Sequence, residues 1–182
     1  MMRPTDRIFL IGARGAGKTT VASLLADRLG WRMVDADAEI ERQTGCSIRS
    51  IFEREGESGF RQLEAETLRR LASFSRAVIA TGGGVVVRPE NRELLRRSGL
   101  VVWLRAEPEV LWRRMDTDPR TAEQRPALTS LGGLEEMQSI VAQRSKWYSE
   151  CASLTIDTSA RSPQDVAQMI LEFLARTANE PH

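Results

Sequence analysis

Residues 12-GARGAGKT-19 set three glycines ahead of a lysine and a hydroxyl residue. Gly12, Gly15 and Gly17 free the backbone to turn successive N–H groups onto one anion. Lys18 can reach the outer phosphates of a nucleotide, and the Thr19 hydroxyl is a hard oxygen ligand suited to magnesium. The spacing G-x4-G-K-[ST] carries this meaning only between a strand and a helix. The apolar run 7-RIFLI-11 precedes it and an amphipathic run over Thr20–Leu29 follows, so the context is met. A plain strand-to-helix turn needs one or two glycines but no Lys-Thr pair. The expected ligand is a nucleotide with its phosphates at the helix N-terminus.

Two acids come next, in 34-VDADAEIE-41. In an extended chain Asp35 and Asp37 share one face. At a strand end beside a phosphate loop, one acid can bind magnesium through water and the other can accept a proton from an attacking hydroxyl. Helix capping is the simpler alternative, but it explains one aspartate and not both.

Arginines dominate the basic residues; the lysines are Lys18 and Lys146. Arg125, just before Pro126, lies in a polar Pro- and Gly-rich stretch from Asp116 to Gly133, where a closing lid brings a cation to a transferring phosphoryl group. Arg61 has Glu64 three residues on, which favours an ion pair along a helix. A substrate role is compatible with that pairing, since bidentate binding of a carboxylate favours arginine over lysine, and Arg144 is a third candidate. The stretch 80-ATGGGVVV-87 is a second glycine-rich loop. It could be a second phosphate cradle or a plain turn, although a turn rarely needs three glycines, Gly82, Gly83 and Gly84, in a row.

The elements that must position these groups alternate. Strands are expected at 7–11, 32–35, 77–80, 100–104 and 153–157. Helices are expected at 20–29, over a helical region of about 37–74 broken near Gly45 and Gly56 with Ser47 as a cap, and at 89–97, 108–115, 134–150 and 163–175. This alternation predicts an α/β fold with a parallel sheet covered on both faces. One domain over 1–176 is expected, with a lid at about 116–133 and a mobile tail at 177–182.

Bulk properties narrow the function. The chain has 182 residues, 41% apolar and 28% charged, with a net charge of +1. That balance does not favour a nucleic-acid partner. No apolar run nears the ~18 residues that span a bilayer, and the N-terminus lacks a signal core, so a cytoplasmic protein without a membrane partner is expected. Cys46 and Cys151 are expected to be reduced and inert. The only histidine is the terminal His182, which excludes Ser-His-Asp hydrolases, Cys-His proteases and most zinc enzymes.

In order along the chain, GARGAGKTT, VDADAEIE, 45-GCSIRSIFEREGESGFRQLE-64, ATGGGVVV, RPALT, the Arg144 segment and 157-DTSARSP-163 resemble the shikimate kinase family, over about Ile8 to Leu174. The resemblance implies a P-loop fold, a three-layer sandwich around a five-stranded parallel sheet of order 2-3-1-4-5 with a lid. It implies ATP-dependent phosphorylation of the 3-hydroxyl of shikimate. ATP contacts are implied at Arg14, Gly15, Ala16, Gly17, Lys18, Thr19 and Thr20, with Arg114 and Arg161 on the adenine side and Arg125 reaching the phosphates. Magnesium is implied at Thr19 and, through water, at Asp35. Asp37 is implied as the base or orienter of the hydroxyl, Arg61 and Arg144 as the clamp on the shikimate carboxylate, and Gly82 to Gly84 as the surface under the ring. Lys18, Asp37 and Arg125 form the implied catalytic set. A monomer is expected.

Three other functions fit parts of the pattern: a kinase for another polyol acid such as gluconate, a nucleoside monophosphate kinase, and a non-catalytic sensor of a small carboxylate. The first has no reason to keep G-E-x-x-F-R-x-x-E. The second needs a base-binding region. The third tolerates loss of Lys18 or Asp37, and both are present.

Overall fold

Five parallel strands form one sheet in the order β2-β3-β1-β4-β5. The computed structural model of the protein describes residues 6–117 and 132–179. In chain order the elements are β1 (Arg7–Ile11), α1 (Lys18–Leu29), β2 (Arg32–Asp35), α2 (Ala36–Thr44), α3 (Ile48–Leu71), β3 (Ala77–Ala80), α4 (Pro89–Ser98), β4 (Leu100–Arg105), α5 (Pro108–Asp116), α6 (Gly133–Cys151), β5 (Leu154–Asp157) and α7 (Pro163–Asn179).

The central strands β1 and β3 are buried along their whole length, as parallel strands covered on both faces must be. Register places Leu10 beside Ala80 and Val102, so the strands end together on the side where the chain turns into its loops. One core cluster on one face gathers Ile8, Leu10, Leu25, Val78 and Ile170. A second on the other gathers Phe9, Ile11, Leu68, Ile79 and Tyr148. The alternation along β1 is the strand period of two sending neighbours to opposite faces. The four tryptophans are all half-buried. Both cysteines are free thiols.

Arg7 anchors the start of β1. Its guanidinium is buried and donates to the carbonyls of Ser98 and Phe74 at 2.8 and 3.0 Å, and to that of Ala72. These oxygens lie at or just past the C-terminal ends of α4 and α3, where helix carbonyls lack intrahelical partners and attract a cation.

The structure differs from expectation at several ends. Helix α1 starts at Lys18, two residues early, because Gly17 at φ 90° serves as its cap. Helix α2 starts at Ala36, so Asp37 lies in a helical turn and not in an extended chain with Asp35. Capping by Asp35 is the cause, as described below. The break at Gly56 is present as a kink at φ 67°, and Ser47 caps α3 by accepting from Ser50 N–H at 3.2 Å. Helix α3 ends at Leu71, short of Phe74. Helix α7 runs on through 177–179, which expectation gave to the tail; no helix breaker precedes Pro181, and Thr177 Oγ1 donates to the Leu174 carbonyl at 3.0 Å. Most of the expected lid, with Arg125, lies outside the described residues, as do 180–182.

Candidate active site

The turn after β1 is built by close approach. A Cβ on Gly12, at φ 141°, would lie 2.4 Å from the Leu104 carbonyl oxygen; one on Gly15, at φ 78°, would lie 2.6 Å from that of Leu111. Only glycine fits both the space and the conformation. Lys18 folds its ammonium over this loop, donating to the carbonyls of Gly12 and Ala13 at 2.8 and 2.9 Å.

Across the loop stands Asp35, at the end of β2. One carboxylate oxygen accepts from the N–H groups of Asp37 and Ala38 at 3.0 and 3.2 Å, capping α2. The other accepts from the Thr19 hydroxyl at 2.8 Å. The capping role weighed for Asp37 therefore belongs to Asp35. Asp37, released from it, lines the cleft.

That cleft has a volume of about 610 Å³. Arg14, Gly15, Gly17, Lys18, Thr19 and Thr20 line it on the loop side, Asp35 and Asp37 on the acid side, with Gly83 and Arg114 completing it. The arrangement sets cations beside carboxylates: one wall suits phosphates and the other a hydroxyl acceptor. Ala16 is buried in the core and does not line the cleft. Among the described residues no three His, Cys, Asp or Glu side chains gather as a metal cage. The Thr19 hydroxyl and Asp35 carboxylate are the hard oxygen donors at hand, and a pair of that kind suits magnesium, which takes most of its ligands from water and phosphate.

The two arginines meet at the glycine loop after β3. Arg144 is buried on α6 and donates through Nη1 to the Gly83 carbonyl at 3.1 Å; its Nε has no hydrogen-bond partner among the described residues. Tyr148, one helical turn on, donates its hydroxyl to the same carbonyl at 2.5 Å. Arg61 lies against Gly84, where a Cβ would come within 2.1 Å of Nη1. Arg61 is itself held by Glu64 at 2.8 Å and Glu57 at 3.2 Å, so the ion pair expected from spacing is present. Burial opposes its charge, but the two carboxylates outweigh it and hold the guanidinium above its ordinary pKa. Burial likewise pushes the Tyr148 phenol up to about 12, partly offset by Arg144.

None of Gly82, Gly83 and Gly84 has a positive φ, so backbone strain does not explain them. Space does for Gly84, which backs onto Arg61; a Cβ on Gly83 would make only ordinary contact with the phosphate loop, 3.4 Å from Arg14 N and 3.6 Å from the Gly12 carbonyl.

On the far side, Arg114 donates to the Gly15 carbonyl at 3.4 Å and to the Thr158 hydroxyl and carbonyl at 3.1 and 2.6 Å. It ties the phosphate loop to the segment after β5. Arg161 is exposed there, donating to the Asp157 carbonyl at 2.6 Å, and does not line the cleft.

Residues 14–175 match the family model for shikimate kinase. The chain belongs to the shikimate kinase family. It is 46% identical over 167 residues to the shikimate kinase of Symbiobacterium thermophilum, covering 92% of this chain and 95% of that one. The shikimate kinase of Geobacter sulfurreducens is 44% identical over 176 residues, covering 96% and 94%. Among solved structures, shikimate kinase from Acinetobacter baumannii in complex with shikimate superposes with a TM-score of 0.90 at 38% identity, covering 97% of this chain and 96% of that one.

Several cleft residues escaped sequence reasoning: Ser23, Ala38, Glu41, Ile48 and Met115. Glu41 had a usable signal, since it lies four residues after Asp37 and so on the same helical face. Its carboxylate accepts from Ile48 N–H at 2.9 Å, joining α2 to the start of α3. Tyr148 had none, because helical periodicity identifies a buried face but not the carbonyl that a hydroxyl will meet.

Proposed function

We propose that this chain transfers the γ-phosphoryl group of ATP to the 3-hydroxyl of shikimate, giving shikimate 3-phosphate and ADP within aromatic amino acid biosynthesis. The observation that carries this reading is the meeting of two buried arginines, Arg61 and Arg144, at Gly83 and Gly84 beside the phosphate-loop cleft. A buried guanidinium with unused N–H capacity suits a small carboxylate, and bidentate geometry gives it orientation.

Catalysis here is positioning and charge neutralisation. Backbone N–H groups from Gly15 to Thr20 and the side chain of Arg14 hold the ATP phosphates, with Arg114 and Arg161 toward the adenine. Lys18 leaves its loop carbonyls for the outer phosphates. Arg125 adds a second cation from a lid over about 116–133, on the strength of the resemblance. Thr19 and, through water, Asp35 hold magnesium, which when bound offsets phosphate charge. Arg61 and Arg144 fix the acid end of shikimate over the Gly82 to Gly84 surface. Asp37 orients the hydroxyl and takes its proton.

We read the enzyme as a monomer with one kinase domain over 1–176. No helix among the described residues is long and apolar enough to cross a membrane, and we place the enzyme in the cytoplasm.

Coupled ADP release with shikimate, gluconate and AMP as acceptors tests the reading. Release with shikimate alone is expected. Release with gluconate or AMP assigns another acceptor, and no release with any acceptor leaves a binding module.

A further inference from the structure

The peptide joining Gly83 to Gly84 lies between the phosphate loop and the two arginines. Gly83 packs on the phosphate loop, its carbonyl receives Arg144, and Gly84 backs onto Arg61. Yet this peptide joins two residues without side chains, so nothing of its own holds its plane. A carbonyl oxygen has two lone pairs. On Gly83 one partner is Arg144, at 3.1 Å, and the other is the Tyr148 hydroxyl, at 2.5 Å.

Tyr148 is well placed to be the fixed point. It is buried, 1% exposed, and lies one turn after Arg144 on the same face of α6. Its ring stacks on Trp103 with centroids 5.6 Å apart and planes at 25°. It does not line the cleft, and the proposed chemistry gives it no task.

We propose that Tyr148 is a positioning residue: its hydroxyl fixes the Gly83 carbonyl, and that carbonyl sets the Arg144 guanidinium for the acceptor's carboxylate. The inference rests on the shikimate reading of the cleft. A trans peptide points its C=O and N–H in opposite directions, and no cis peptide is present among the described residues. Holding the Gly83 carbonyl toward α6 therefore turns the Gly84 N–H away from α6. Arg144, whose Nε is buried without a partner among the described residues, takes its orientation from the Gly83 carbonyl and from the Tyr148 hydroxyl beside it. Without the hydroxyl, Arg144 remains on Gly83, so the carbonyl keeps a partner and the fold survives. What is lost is the fixed direction.

The test is Tyr148→Phe in the full chain, assayed by shikimate-dependent ADP release below its thermal midpoint. The KM for shikimate should rise about fivefold, the effect of one ordinary hydrogen bond, while the KM for ATP stays within about twofold. In an Arg144→Ala background the same substitution should change the shikimate KM by less than about twofold, since coupled residues are not additive. Trp103→Phe, which keeps an aromatic neighbour and the hydroxyl, serves as the packing control and should leave the shikimate KM unchanged. An unchanged shikimate KM in Tyr148→Phe overturns the proposal. So does an equal rise in both KM values, a full effect in the Arg144→Ala background, or the same rise in Trp103→Phe. Inactivity of the unsubstituted chain toward shikimate would instead remove the underlying reading.

Discussion

Thr19 donates its hydroxyl to Asp35 at 2.8 Å, joining the start of α1 to the end of β2. The same carboxylate caps α2 with its other oxygen. One side chain thus links the candidate metal ligands to the helix that carries Asp37. Two substitutions separate these duties. Asp35→Asn keeps a good cap but removes the charge. Its thermal midpoint should stay near that of the unsubstituted chain, while the magnesium concentration for half-maximal activity rises about tenfold. Asp35→Ala should show that rise and also lose about 1 kcal/mol of stability with the cap. An Asn variant with unchanged magnesium dependence would remove Asp35 from the metal site.

Asp37 lines the cleft from the first turn of α2, where Asp35 is the cap. Asparagine has the same shape but cannot take a proton. Asp37→Asn should therefore lower kcat about a hundredfold or more, the usual worth of a general base. ATP affinity, measured by titration of the nucleotide without acceptor, should stay within about twofold. Retention of full turnover would leave Asp37 as a wall of the cleft only.

Arg61 and Glu64 are 7% and 3% exposed in their side chains, and the pair is 2.8 Å apart. Removing one member of a buried pair strands the other. Arg61→Ala should cost about 3–5 kcal/mol of stability as well as raising the shikimate KM. The combined Arg61→Met, Glu64→Met variant removes both charges and should recover most of that stability in chemical denaturation. Its shikimate KM should stay high. If the KM recovers along with the stability, Arg61 supports the fold and does not hold the acceptor.

Two of the loop glycines make unequal predictions. A Cβ on Gly84 would come within 2.1 Å of Arg61 Nη1, whereas on Gly83 the nearest atom, Arg14 N, would be 3.4 Å away, an ordinary contact. Gly84→Ala must push the Arg61 guanidinium aside. It should raise the shikimate KM about tenfold or more, because small displacements of positioning groups are costly. Gly83→Ala should do less, and its effect should extend to ATP through the phosphate loop. Equal effects confined to shikimate would contradict the packing described.

Much of this was legible in the chain. Strands β1 and β3 fall where the apolar runs place them, because a strand buried on both faces reads as a nearly continuous apolar segment. The phosphate loop was legible because its glycines answer a local steric demand. The pairing of Asp35 with Thr19 was less so. An aspartate between a strand and a helix can end one or cap the other, and here it also meets a residue sixteen positions earlier. The convergence of Arg61 and Arg144 was implied only by resemblance. It depends on α3 and α6 packing from opposite ends of the chain onto one loop, and periodicity carries no record of that. Tyr148 went unnoticed for the same reason.

Tyr148 is the chain's one tyrosine, so its phenol can be followed by ultraviolet absorbance without interference from another. Burial raises it from 10.0 to about 12. The folded state therefore keeps a proton that the unfolded chain loses. Stability from this site is complete below pH 10, and it is lost as pH rises through the folded value. The full loss is worth about 3 kcal/mol. Cys151, raised by burial from 9.0 to about 11, acts in the same direction at slightly lower pH. Denaturation midpoints should fall between pH 9 and 12, and Tyr148→Phe should flatten the upper part of that fall while leaving the thiol's part. Phenolate absorbance should be absent from the folded protein at pH 10.5 and appear on unfolding at the same pH. Phenolate visible in the folded protein near pH 10 would mean that the hydroxyl is not committed to Gly83.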